Sequence, residues 1–449
     1  MVSSAISFPR LRRIVSAYTV NRLGSWIGLV ALSLAVYDHT HSGLAVAGLL
    51  LCWQALPAFL VPVVVARVEA SARRRELSGL YVFEGVVTAA IAVLLSHFWL
   101  PGLLLLAAID GTAALAASAL LRAEVARTGR EHALGGPVGE GEAPDPAALG
   151  PDLGERVQEA EREANATLNF AFSAAFVGGP VVGGLVTASF GAAAALFIDV
   201  ATFLACGALL LDMHPHVEEA AGNTVRARLH AAWRHINETP GLRALLATET
   251  LALLFIQAAG PIEVTYAKAT LHAGDGGYGM LVTAWGAGAV IGSLAFARAR
   301  GRPLGLVLSV GTFALAAAFL GYALAPSLAL ACTAAAVGGL GNTLEWPALV
   351  SLVQRLSPQQ LHGRLMGAVE SLQAICIAFG LILGGVLVSL GSARSAFVVI
   401  GVGTALAAAV FARLAAAGLL PRQAPHAQPV GGEQAPEPGG ARPHEAATE

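Results

Sequence analysis

Charge is what this sequence has least of. Asp, Glu, Lys and Arg make up 12% of its 449 residues, against about 25% in a soluble domain. Hydrophobic residues make up 56%, and mean hydropathy is +0.67. A chain this poor in charge along most of its length cannot cover a water-exposed surface, which excludes a soluble globular protein and leaves a polytopic membrane protein. The net charge of -2 decides little, because in a membrane the placement of charge outweighs its sum. Cysteine is also scarce. Cys52, Cys206, Cys332 and Cys376 stand singly inside apolar runs with no CxxC pair, so they make neither a disulfide framework nor a metal knuckle and are read as small packing residues. There is no P-loop, which excludes a nucleotide-driven motor domain. No HExxH or Ser/His/Asp arrangement stands out, so no catalytic residue is assigned. The histidines lie outside the apolar runs or at their ends, and His214-Pro215-His216 is too sparse for a metal site.

What the chain does have is apolar length. Runs at roughly 14–37, 43–66, 77–97, 101–121, 166–190, 192–213, 244–267, 278–297, 304–325, 327–351, 365–390 and 394–419 are each long enough to cross the hydrocarbon core, which takes about 20 helical residues. Pro9-Arg10-Leu11-Arg12-Arg13 leads straight into the first run, which is longer than the roughly 7–15 apolar residues of a cleavable signal. The arginines alternate with the runs. Twenty-four of the 27 basic residues fall on one side; Lys268 and Arg394 fall on the other, and Arg22 lies within a span. The positive-inside rule then predicts a multi-pass protein of the cytoplasmic membrane with both termini in the cytoplasm. The fold class expected is an all-α membrane protein of twelve transmembrane helices in two pseudo-symmetric six-helix halves.

Three segments do not read as membrane. Residues 129–154, rich in Gly, Pro, Ala and acids, predict a flexible insertion after the fourth span. Val225, Leu229, Trp233 and Ile236 stand at helical spacing with arginines between them, which predicts an amphipathic helix on the membrane face. Residues 421–449 predict a disordered tail. The domains expected are therefore a half at 1–213, a linker at 214–243, a half at 244–420 and a tail at 421–449.

One stretch combines features that usually exclude each other. Gly179-Pro180-Val181-Val182-Gly183-Gly184 puts helix breakers in the middle of an apolar run. Gly179 and Gly183 are four apart, as are Pro180 and Gly184, which makes one side-chain-poor face for close helix packing. Shifted by 201 residues, Gly380, Gly384 and Gly385 repeat Gly179, Gly183 and Gly184, with Leu381 in place of Pro180. The repeat falls in span 5 and span 11, the same ordinal position in each half. The stretch is read as a pivot and seal between halves rather than a binding site.

Charges inside the spans need a reason, since each costs at least about 2.5–3.5 kcal/mol at the bilayer centre. Arg22 and Glu84 lie at similar depth in spans 1 and 3; a structural salt bridge, Arg22 snorkelling to the interface and a pair that rearranges during transport are all open. Asp110, near the middle of span 4 with no partner on its own helix, is the leading candidate for proton coupling or for binding a cationic substrate, beside the alternative of a hydrogen bond to a neighbouring helix. Asp199, with Thr202 nearby, is a weaker candidate. Glu263 and Glu345 adjoin Pro261 and Pro347 and fit either an ion or substrate position or a capping role. Glu249 and Glu370 are expected at the membrane interface.

Several motifs carry a likeness to a known family. They are Leu23-Gly24-Ser25-Trp26 with Val36-Tyr37 and Ser42-Gly43-Leu44-Ala45-Val46; Ala164-Asn165-Ala166-Thr167-Leu168-Asn169 running into Gly179-Pro180; Gly277-Tyr278-Gly279 with Gly286, Gly288 and Gly292; and Pro358-Gln359-Gln360-Leu361-His362-Gly363-Arg364. Together they resemble the major facilitator superfamily, in its enterobactin-exporter-like and macrolide-efflux-like branch. The chain departs from the superfamily in the loop after span 2. Val65, Glu69 and Ala70 stand where Gly, Asp and Arg are usual, while Arg73, Arg74 and Arg75 remain, so a cytoplasmic charge clasp of Glu69 with these arginines is expected in altered form. Ser25 stands where Asp is usual, and Ala175 at the first small position of the span-5 motif. The resemblance implies a secondary active transporter that moves a small amphipathic or drug-like molecule by alternating access, an exporter driven by proton antiport. The expected partners are the lipid bilayer, the small-molecule substrate and protons, without nucleic acid, cofactor or metal, and the expected state is a monomer. The rival reading is a scaffold or sensor that keeps the fold without transporting.

Overall fold

Hydrocarbon offers no water to unpaired backbone groups, so a chain of this composition must satisfy them within helices. The computed structural model describes residues 9–57, 76–134, 151–211, 233–299, 301–358 and 361–421, and no strand occurs among them. The first six helices are α1 (Pro9–Thr40), α2 (Gly43–Ala55), α3 (Glu76–Leu95), α4 (Leu100–Leu134), α5 (Pro151–Phe190) and α6 (Ala192–Leu209). The second six are α7 (Pro240–Thr270), α8 (Gly274–Arg298), α9 (Leu304–Leu324), α10 (Leu328–Arg355), α11 (His362–Leu390) and α12 (Ala393–Ala416). Among the described residues, nine helices are long and apolar enough to cross a membrane. The other three are α2, which continues into undescribed residues, α5, whose apolar part is 174–190, and α10. Gly338, Gly339, Gly341, Asn342, Glu345 and Pro347 dilute the apolar character of α10, and it is packed between α8 and α9. Val86, Val93, Leu105, Phe379 and Leu406 are exposed, as side chains that face lipid would be.

The packing repeats. In the first six helices α1 packs on α5 and α6, and α3 on α4 and α6; six helices on, α7 packs on α11 and α12, and α9 on α10 and α12. The two sets meet mainly along α5–α8 and α2–α11, which are again equivalent pairs. Two histidines echo the same relation. His41 follows α1 and His272 follows α7, with φ of 48° and 51°, a left-handed conformation uncommon outside glycine. An aromatic cluster of Tyr266, Phe319, Tyr322 and Phe397 fills the second set, and the Tyr266 hydroxyl donates to the Tyr322 carbonyl at 2.6 Å.

Three expectations change on contact with the structure. Residues 129–134 and 151–154 are helical, extending α4 and α5 into the expected insertion. On α4, Arg127 pairs with Glu124 at 2.9 Å and Glu131 at 2.8 Å, one turn to either side, and Arg10 of α1 joins both acids. Such i,i+3 and i,i+4 pairs support a helix beyond the apolar run. In the expected amphipathic linker, residues 233–238 are helical; Ile236 is buried against the second set while Trp233 is exposed, and Val225 and Leu229 lie outside the described residues. Helix α7 begins at Pro240, four residues before the expected span, because Pro is favoured at the first helical position. The charge clasp of Glu69, Arg73, Arg74 and Arg75, and the tail from 422, also lie outside the described residues.

The closest helix contacts depend on glycine. A Cβ at Gly339 of α10 would collide with the Trp285 carbonyl oxygen of α8, whereas one at Gly79 of α3 meets nothing within 4 Å. Gly339→Ala should therefore destabilise the protein by about 1–3 kcal/mol, the range for overpacking, and lower the detergent melting temperature. Gly79→Ala should leave the melting temperature unchanged.

Candidate functional site

The site is built around a defect in α2. Residues Leu51–Ala55 form a π-helical turn, a local widening that recurs at functional positions. It turns Trp53 toward α4, where a Cβ at Gly111 would collide with the Trp53 carbonyl oxygen. The Trp53 indole Nε1 donates to Asp110 Oδ2 at 3.1 Å, and Thr88 Oγ1 of α3 donates to Asp110 Oδ1 at 3.2 Å. Asp110 is thus buried and held by two neighbouring helices, α2 and α3.

Three other sequence candidates gather at the same place. Arg22, Glu84, Asp110 and Asp199 line one small chamber of about 30 Å³, with Asn21, Tyr81 and Trp53. Thr202 Oγ1 donates to Asp199 Oδ1 at 3.2 Å. A Cβ at Gly24 or Gly28 of α1 would collide with Asp199, so the bare face of α1 makes room for the acid. Arg22 and Glu84 share the chamber without a direct ion pair; Glu84 Oε1 and Arg22 Nε have no hydrogen-bond partner, and the guanidinium lies over the Tyr18 ring, 5.3 Å from its centroid. One guanidinium balances one carboxylate. The remaining two acids of the set change charge only by gaining or losing protons.

Beside the chamber lies a larger cavity of about 360 Å³ between the two sets of helices, within the size range of small-molecule sites. Tyr18, Arg22, Trp53, Arg122 and Phe172 line it from one side, Glu370 and Gln373 of α11 from the other. Glu370, expected at the interface, is exposed to this cavity. Arg22 and Trp53 belong to both the chamber and the cavity. The cavity lies in the part of the bundle nearer the arginine-rich helix ends.

At the opposite end the two sets are closed on each other. Gly179 and Gly183 of α5 face Trp26 and Ile27 of α1, while Gly184 faces Asp275 and Gly279 of α8, and a Cβ at Gly279 would meet the Pro180 carbonyl oxygen. Gly380 and Gly384 of α11 face Leu254 and Ala258 of α7, and Gly385 faces Leu44 and Ala47 of α2. In each copy the first two glycines seat the helix on its own set and the third on the other set. The proline changes place. It is Pro180 within α5 in one copy; in the other, Pro261 of α7 lies against Gly384, and α7 is interrupted at Ala258. Lys268, the only lysine in the chain, spans this end. Its ammonium pairs with Asp38 of α1 at 2.8 Å and with Asp275 of α8.

The second set holds the other acids. Glu263 is half-buried in α7, near Tyr322. Glu345 is buried in α10, and Glu249, expected at the interface, is instead fully buried and faces it. The earlier start of α7 accounts for the change, since it sets Glu249 nine residues from the helix end rather than five. Sequence reasoning missed Trp53 and Thr88 as the partners of Asp110. A π turn has no sequence signature, and Thr88 becomes visible only once α3 and α4 are known to pack.

The ion pairs at the closed end give a direct test. Lys268→Gln should raise the population parted at that end roughly fivefold if the partly exposed pairs contribute about 1 kcal/mol. Spin labels on the α1–α2 and α7–α8 turns should then report longer distances. A distribution identical to that of the unaltered protein would mean the pairs do not hold this end.

The architecture matches known transporters. The nucleoside transporter NupG superposes with a TM-score of 0.67 at 12% identity, over 91% of this chain and 99% of that one. A bacterial homologue of the lysosomal transporter Spinster, inward-facing and occupied, gives 0.64 at 12% over 90% and 96%. A bacterial homologue of the iron transporter ferroportin, also inward-facing, gives 0.61 at 16% over 90% and 98%. At these identities the likeness establishes the major facilitator fold. No curated protein matches the sequence. The family of transmembrane secretion effectors matches residues 141–429, more than half of the chain, and with the fold it places the protein: this chain belongs to the transmembrane secretion effector family of major facilitator transporters.

Proposed function

We propose that this transporter is a proton-coupled exporter of small amphipathic molecules, in the cytoplasmic membrane with its arginine-rich end and both termini inside. The observation that carries the reading is that Arg22 and Trp53 line both the acid chamber and the cavity. A change of charge among Asp110, Glu84 and Asp199 is felt at Arg22, and Arg22 is part of the wall a substrate would touch. With the acids charged, the guanidinium is drawn into the chamber. As they take up protons it is freed toward the cavity, which changes how that wall binds. Protonation and substrate occupancy thereby compete through one side chain, which is what antiport requires.

The cavity chemistry suits an amphipathic substrate. Tyr18, Trp53 and Phe172 offer aromatic surface, while Arg122, Glu370, Gln54 and Gln373 offer polar contacts on two sides. The positive-inside rule supports the orientation, and the secretion family and the branch resemblance support export. Under this reading the protein is inward-facing, open at the arginine-rich end and sealed where Lys268 joins α1, α7 and α8. The glycine faces of α5 and α11 are the seams about which the halves rock.

Asp110→Asn keeps an acceptor for the Trp53 indole and removes the titratable charge. In proteoliposomes with an imposed pH gradient, screened over a panel of amphipathic fluorescent compounds, it should reduce gradient-driven movement to background while the protein remains folded by size exclusion and thermal melting. Gradient-driven movement equal to that of the unaltered protein would rule out Asp110 as the coupling acid.

A further inference from the structure

Outside the Asp110 chamber, one pair of acids has no assigned role. Glu249 of α7 and Glu345 of α10 are 0% and 2% exposed. Glu249 Oε1 and Oε2 and Glu345 Oε1 are buried without a conventional hydrogen-bond partner, yet the two carboxyl groups face one another closely enough to act as donor and acceptor if one carries hydrogen. From α11, the Cys376 thiol also approaches Glu249 and donates to the Thr250 carbonyl at 3.7 Å. Among the described residues, neither glutamate joins an ion pair. Both acids lie about 15 Å from the arginine-rich ends of their helices, at 1.5 Å per residue.

Two bare carboxylates cannot persist side by side away from water. Their repulsion adds to a desolvation penalty of several kcal/mol for each ion, so the pair needs a cationic ligand. A metal ion would need further ligands, and among the described residues no group of three or more His, Cys, Asp or Glu side chains is placed to hold one. A proton needs only the two oxygens present. We propose that Glu249 and Glu345 form a second proton-binding site, in the opposite half from Asp110, which holds one proton in an O–H···O hydrogen bond between the two carboxyl groups. Proton uptake forms one O–H bond, release breaks it, and no electrons move. The site stands whether or not Asp110 couples transport.

Infrared difference spectra of the full chain in lipid nanodiscs, taken between acid and alkaline buffer, test this. A carboxylic-acid C=O component should disappear on alkalinisation. Glu249→Gln and Glu345→Gln should each move that same component to a new frequency, since the buried acid that remains keeps a proton but loses its carboxyl partner, while the double Gln variant should remove it and Asp110→Asn should leave it in place. Glu345→Asp keeps both acids and should also shift the component, which covers the case of an amide variant that does not fold. The proposal fails if the component keeps its frequency in both single Gln variants, or if it survives in the double variant. It also fails if adding sodium at fixed pH abolishes the component, which would assign the pair to a metal cation.

Discussion

Helices α5 and α8 meet backbone to backbone, and so do α11 and α2. At Gly184 and at Gly385 the neighbouring main chain comes within about 3 Å of where a Cβ would stand, so a side chain there would push the two sets of helices apart. Lipid tails are as apolar as leucine, so burial of oil cannot drive helices together within the bilayer; close packing and polar contacts must do it. These two seams are the main contacts between the sets. The cavity beside the acid chamber exists because the sets touch along the seams and diverge toward the arginine-rich end. Lys268 adds a polar lock at the tight end, where the seams have already brought α1, α7 and α8 within reach of one side chain.

The second constraint is charge. Four ionisable side chains converge in the first half with a single positive charge among them, and two more acids face each other in the second half with none. A structural salt bridge would have equal and opposite members in contact, and neither cluster is arranged that way. Asp110 is anchored by neutral donors, Trp53 and Thr88, which hold a carboxyl group in place in either protonation state. Acids that are fixed in position but unbalanced in charge are suited to exchanging protons.

Much of this was legible in the sequence, for identifiable reasons. Helix number and order followed from apolar length and from arginine alternation, because hydrocarbon thickness and helix rise leave little freedom; which helices pack on which did not. The glycine repeat at a spacing of 201 residues pointed to equivalent helices, and the structure seats both copies in equivalent contacts. Asp110, Arg22, Glu84 and Asp199 stood out singly because charge in a span is rare, but their convergence required tertiary packing. The extension of α4 was hidden because Gly- and acid-rich composition suggested disorder while i,i+4 ion pairs supported helix. The Glu249–Glu345 pair was hidden by a four-residue error in one helix start, which moved Glu249 from the interior to the interface. The transfer of the proline from α5 to α7 could not be seen in either motif alone, since it depends on which helix each motif packs against.

For a molecule that works by alternating access, the end held by Lys268 must open. Cysteines at positions 38 and 268, in a chain stripped of its four native cysteines, can be joined by oxidation across that end. In energised vesicles loaded with a fluorescent amphipathic compound that the reduced protein moves, cross-linking should stop movement and reduction should restore it. Movement at the same rate with the cross-link intact would contradict the account.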